Sequence, residues 1–87
     1  MISSSRKFLT AQRLVRIYDQ KNIPDTVRVK VFKLVADQYK KNYVGAQLHK
    51  RVRDSLINST DSDIQDWLPF LLEIIKLVIP LIVALLV

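Results

Sequence analysis

The sequence predicts an all-α protein. It reads as a small basic helical head of about three helices over residues 1–57, a polar acidic hinge over 58–65, and a long C-terminal hydrophobic membrane helix over 66–87. Three observations predict this. One Gly in 87 residues argues against a turn-dense β-fold. Apolar residues recur at three- and four-residue steps through the head. The closing segment, WLPFLLEIIKLVIPLIVALLV, departs from apolar character only at Pro69, Glu73, Lys76 and Pro80.

Charge is segregated in the same way. Residues 1–53 hold 13 of the 14 basic residues against three acids, Asp19, Asp25 and Asp37, a net +10. Residues 54–66 hold four acids, Asp54, Asp61, Asp63 and Asp66, and no base. The overall +6 therefore conceals a basic head, an acidic neck and a neutral tail. A chain this short buries a limited core, and disulfides or metals are its usual supports. With no Cys and one His, neither support is predicted.

In the first helix, Phe8, Ala11, Leu14, Val15 and Tyr18 share an arc of about 120° at helical spacing, with Arg6, Arg13, Arg16 and Gln20 opposite. The second element begins at Pro24-Asp25, which suits a first helical turn. Val27-Arg28-Val29-Lys30-Val31 alternates like a strand. A strand needs a partner within the chain or on another subunit, and no second strand candidate exists here, so helix is preferred. Its apolar face is Val27, Val31, Leu34 and Val35. The third helix carries Val44, Leu48, Val52 and Leu56 at four-residue steps, with Asn42 as candidate N-cap. Asn22-Ile23-Pro24 and Lys41-Asn42-Tyr43 are the expected connections. Ser62 and Gln65 match a capping box, but Pro69 would then lie well inside the helix. Asp66 as N-cap places Pro69 in the first turn, where its missing N–H costs little, so the tail helix is predicted to start there.

Twenty-one helical residues rise about 31 Å, the hydrocarbon thickness of a bilayer. Apolar residues lie on every side of the tail, and three short amphipathic helices offer too little apolar surface to wrap it. A bilayer is therefore the expected surrounding, with a buried core helix or oligomer core as the alternative. Trp67 sits where a membrane–water boundary is expected. Glu73 and Lys76 are three apart and are expected to pair, either by snorkelling near the interface or at a subunit contact. Leu77–Val87 is free of charge and reaches only about 16 Å, one leaflet, so the tail enters or spans. Pro80 is expected to kink it.

No residue pattern points to catalysis, a cofactor or a metal. His49 stands alone in a basic helix, and the Asp spacing in the neck matches no calcium loop. The chain is read as a non-enzyme. The basic head attracts polyanions, with Arg13, Arg16, Lys30, Lys33, Lys40, Lys41, Lys50, Arg51 and Arg53 as candidate contacts. Positive-inside bias explains the same charge without a ligand.

In layout alone, a basic head on a C-terminal apolar tail resembles tail-anchored proteins, small phage lysis proteins and minor membrane proteins of internal-membrane viruses. The leading expectation is a membrane-anchored structural or assembly protein present in multiple copies. Its partners would be the lipid bilayer, protein neighbours, and nucleic acid or anionic lipid. Its head would face the cytosol or a virion interior. A membrane-permeabilising protein with an oligomerising tail and a soluble nucleic-acid-binding oligomer are the alternatives.

Overall fold

The computed structural model describes residues 2–87, with side chains from Ser5 onward. Four helices account for the described chain: α1 Ile2–Gln20, α2 Asp25–Lys40, α3 Gly45–Ile57 and α4 Ser62–Leu86. No strand occurs among the described residues, and the alternating Val27–Val31 stretch is helical. Val27, Val31 and Val35 lie at four-residue steps and are all buried, so tertiary packing overrides their β-propensity.

Two asparagines shape the connections. Asn22 and Asn42 adopt left-handed backbone, at φ 54° and 71°, which Asn tolerates better than most residues. At the end of α1, Asn22 N–H donates to Asp19 C=O and Ile23 N–H donates to Tyr18 C=O, both at 3.1 Å. That is a Schellman motif with Asn in the glycine position. Its apolar partner contact is present, since Ile23 and Tyr18 are both in the core. Asn42 therefore terminates α2, with its N–H on Tyr39 C=O at 3.0 Å, and does not cap α3. The N-cap of α3 is Val44, which has no capping hydrogen bond from its side chain.

Helix α4 starts four residues before the expected Asp66. Asp61 is its N-cap, and its carboxylate accepts from the N–H groups of Asp63 and Ile64 at 2.9 and 3.3 Å. This short acidic side chain at a positive helix terminus outcompetes the Ser62–Gln65 box. The residues read as hinge, 58–65, are thus partly the first turn of α4. The helix runs unbroken through Pro69 and Pro80.

Helices α1, α2 and α3 all pack against α4, and α2 also packs against α3. Lys30 meets the N-terminus of α4 while Tyr39 lies beside Leu86, so α2 runs parallel to α4. Leu48 lies near Val83 and Leu56 near Leu71, so α3 runs antiparallel to it. The body measures 40 × 30 × 18 Å. Its thickness matches two helix layers, three helices laid over one long one.

Head and tail therefore share one core. Val35, Val52 and Ile82 are fully buried, and Leu71, Ile74, Ile75, Val78 and Ile79 join them from α4. The head does not wrap α4; it covers one side. Phe8 and Val15 of the predicted α1 stripe stay exposed, and only Leu14 and Tyr18 reach the core. Truncating Ile82 to Ala should cost about 2–5 kcal/mol. Urea unfolding followed by circular dichroism should show that loss as a lower midpoint for the whole chain, head helices included.

Candidate functional site

The outward side of α4 is the first candidate surface. Asp66, Pro69, Glu73, Lys76 and Pro80 are all exposed. At 100° per residue these five fall within about 80° of one another, with Ser62 and Gln65 on or near the same stripe. Every polar or helix-breaking residue of the tail is therefore on one face. The prolines are tolerated there because the Gln65 and Lys76 carbonyls they leave unpaired point to the solvent side.

Apolar side chains flank the stripe. Leu77 is 60 % and Val87 67 % exposed, with Phe70 less so. Trp67 is half-buried and meets Phe70 with ring centroids 5.6 Å apart, at the N-terminal end of α4. The accessible surface is 5839 Å², against about 5,300 Å² usual for a folded chain of this mass. The excess fits a flat body with uncovered apolar groups, which also include Phe8, Leu9, Val29, Val44 and Ile57.

The expected Glu73–Lys76 pair does not form. Glu73 meets Lys21 of the head at 2.7 Å, and Lys76 has no ion-pair partner among the described residues. The contact from the turn after α1 lies across the bundle interface, whereas the predicted pair would have lain along one helix.

The basic surface is thinned by structural use. Lys30 Nζ donates to Asp61 at 2.7 and 3.0 Å and to Asp63 at 2.9 Å, tying α2 to the start of α4. It therefore does not stand free as a polyanion contact. Arg28 is similarly engaged. Its Nε donates to Ile23 C=O at 2.7 Å, its Nη2 to Asp19 at 2.8 Å, and its guanidinium lies 5.1 Å from the Tyr18 ring centroid. Tyr18 is buried with its hydroxyl unpartnered, and burial pushes its pKa up to about 12 against the opposing effect of Arg28.

The other predicted contacts, Arg13, Arg16, Lys33, Lys40, Lys41, Lys50, Arg51 and Arg53, are exposed. Arg51 stacks 4.3 Å from the Tyr43 ring centroid and donates to its hydroxyl at 2.6 Å. Lys41 and Arg51 are brought to one polar depression of about 260 Å³ between α2 and α3, with Asp54 and Asn58. Arg13 and Arg16 lie apart on α1. The sequence reading missed Asp61 and Asp63 as partners of Lys30. It also missed the polar stripe of α4, although the spacing of residues 66, 69, 73, 76 and 80 carried that signal.

The charge cluster at the base of α4 has a definite pH response. Hydrogen bonding to Lys30 holds the Asp61 carboxyl below its usual 3.8, helped by the Ile64 and Asp63 amides. The same bonds hold Lys30 above its usual 10.5. The Asp61 contribution is present above 3.8 and is lost as pH falls through the lowered folded value. The Lys30 contribution is present below 10.5 and is lost as pH rises through the raised one. Thermal midpoints measured from neutral pH down to about 2 should fall at the acid end, and Asp61→Asn should flatten that fall. An unchanged acid limb in this variant would remove the cluster as its source.

Comparison of the chain with protein-family models, curated proteins and solved structures finds no match.

Proposed function

We propose that this chain is a non-enzymatic, membrane-associated structural or assembly protein. In this reading α4 engages the bilayer, and the basic surface of α1–α3 meets a protein shell, lipid headgroups or nucleic acid. A virion's internal membrane and a cellular membrane are both compatible settings, with the basic face toward the virion interior or cytosol. The observation that carries the reading is α4 itself, the one helix among those described that is long and apolar enough to cross a membrane.

The stripe restricts how α4 enters. Asp66, Glu73 and Lys76 favour headgroup depth, and Leu77–Val87 supplies the apolar segment beyond them, about 16 Å of helix. The apolar side now covered by the head is also the side a lipid environment would take. Deep insertion and the closed bundle therefore compete for Ile75, Val78, Ile79 and Ile82.

A direct test uses Leu77→Lys, because this exposed position lies outside the core. A charge at bilayer depth costs about 2.5–3.5 kcal/mol on insertion scales. The parent chain should float with vesicles and resist high-salt extraction, while Leu77→Lys should stay folded and float poorly. Full retention of the parent in the soluble fraction without detergent would refute the reading.

A second reading, a soluble helical nucleic-acid-binding protein, is favoured by the burial of one side of α4 against the head. It predicts DNA or RNA affinity that falls steeply with salt and drops when Lys41 and Lys50 are changed to Gln. Gel-shift titrations at two salt concentrations separate it from the first.

A further inference from the structure

We propose that the groove between the start of α3 and the C-terminal half of α4 binds one free long-chain carboxylate. The acyl chain lies along Val44, Ile79 and Val83, and the head sits between Lys76 and His49. This site belongs to the closed bundle and does not require α4 to enter a bilayer.

The groove has a volume of about 450 Å³ and is lined almost entirely by apolar groups. That volume lies in the range of about 300–1,000 Å³ typical of small-molecule sites. Besides the Tyr39 phenol, two polar side chains line it. Lys76 carries a charge with no ion-pair partner among the described residues, and His49 Nε2 is buried without a hydrogen-bond partner. An unpaired buried polar atom is costly, and that nitrogen is closed to solvent here. A small turn of the ring would let a carboxylate oxygen accept from the imidazole N–H and remove the cost. The same carboxylate would neutralise Lys76. No Asp or Glu lines the groove, so its electrostatic preference is for an anion.

The wall formed by α3 is open at the acyl end of the groove. Gly45 has φ +57° and open space where a Cβ would stand, so the chain meets bare backbone at this point. An aliphatic tail with an anionic head satisfies both halves of the site. An uncharged alkyl chain satisfies only one.

Calorimetric titration of the full chain with dodecanoate and with dodecanol, both below aggregation and without vesicles, tests the proposal. Dodecanoate should bind saturably, one per chain, and more tightly than dodecanol. Lys76→Gln should weaken dodecanoate by about tenfold, the loss of one charge-assisted contact, and leave dodecanol unchanged. Ala46→Trp should abolish both by filling the groove from an exposed position, and Val44→Trp should do so from outside the helix if Ala46→Trp misfolds. Any of four results overturns the site: no saturable binding by the parent, equal affinity for acid and alcohol, Lys76→Gln indistinguishable from the parent, or a dimer that becomes monomeric in Ala46→Trp. The last would mean that a second copy fills the groove. None of these outcomes depends on vesicle flotation, so this site and the membrane reading stand or fall separately.

Discussion

The structure depends on covering one side of α4. Ile74, Ile75, Val78, Ile79 and Ile82 form a continuous apolar strip along the helix, and each of the other three helices is too short and too polar to stand alone. Isolated helices of 13 to 19 residues are marginal in water, so α1, α2 and α3 gain stability chiefly through the strip they share. Val31 and Leu56 meet α4 from two different helices beside the same Ile74 and Ile75. The fold is a layer of three helices seated on a fourth, and the most cohesive surface belongs to the last of the four in chain order.

Charge has two roles that the net value of +6 does not separate. Lys21, Arg28 and Lys30 bind acids across element boundaries, so they act as ties between α1, α2 and α4. Exposed pairs of this kind add little energy individually. They fix register instead, because each joins a position on one helix to a single place on another. Apart from Lys76 on α4, the remaining described cations lie on or beside α1, α2 and α3 and set the field around the head.

Helix number, helix order and the first two connections were legible in the sequence because they follow from local signals: apolar spacing, the two Asn-containing turns and Pro24. The start of α4 was not, because two caps competed over a few residues and Pro69 weighed against the earlier one. Its position on the solvent side makes that proline tolerable, and solvent orientation is a tertiary fact. The pairing of Glu73 failed for a similar reason. Lys76 was near in sequence, but Lys21 became near only once α1 had packed. For the candidate surfaces, the individual cations were readable one by one, whereas the removal of Lys30 from the free set depended on where Asp61 and Asp63 came to rest. His49 stands alone in the sequence, and only the fold brings it to the same groove as Lys76.

The order of elements has a consequence for biosynthesis. During translation α1, α2 and α3 emerge before α4 exists, so Val27, Val31, Val35, Leu48, Val52 and Leu56 have no completed surface to close against. Until α4 has been made, the nascent chain is an open set of basic amphipathic segments. Closure of the bundle therefore waits for α4, the last of the four helices to be made. At that moment the same segment is available to chaperones, to a lipid surface or to its own head, and the first of these to capture it decides the fate of the chain.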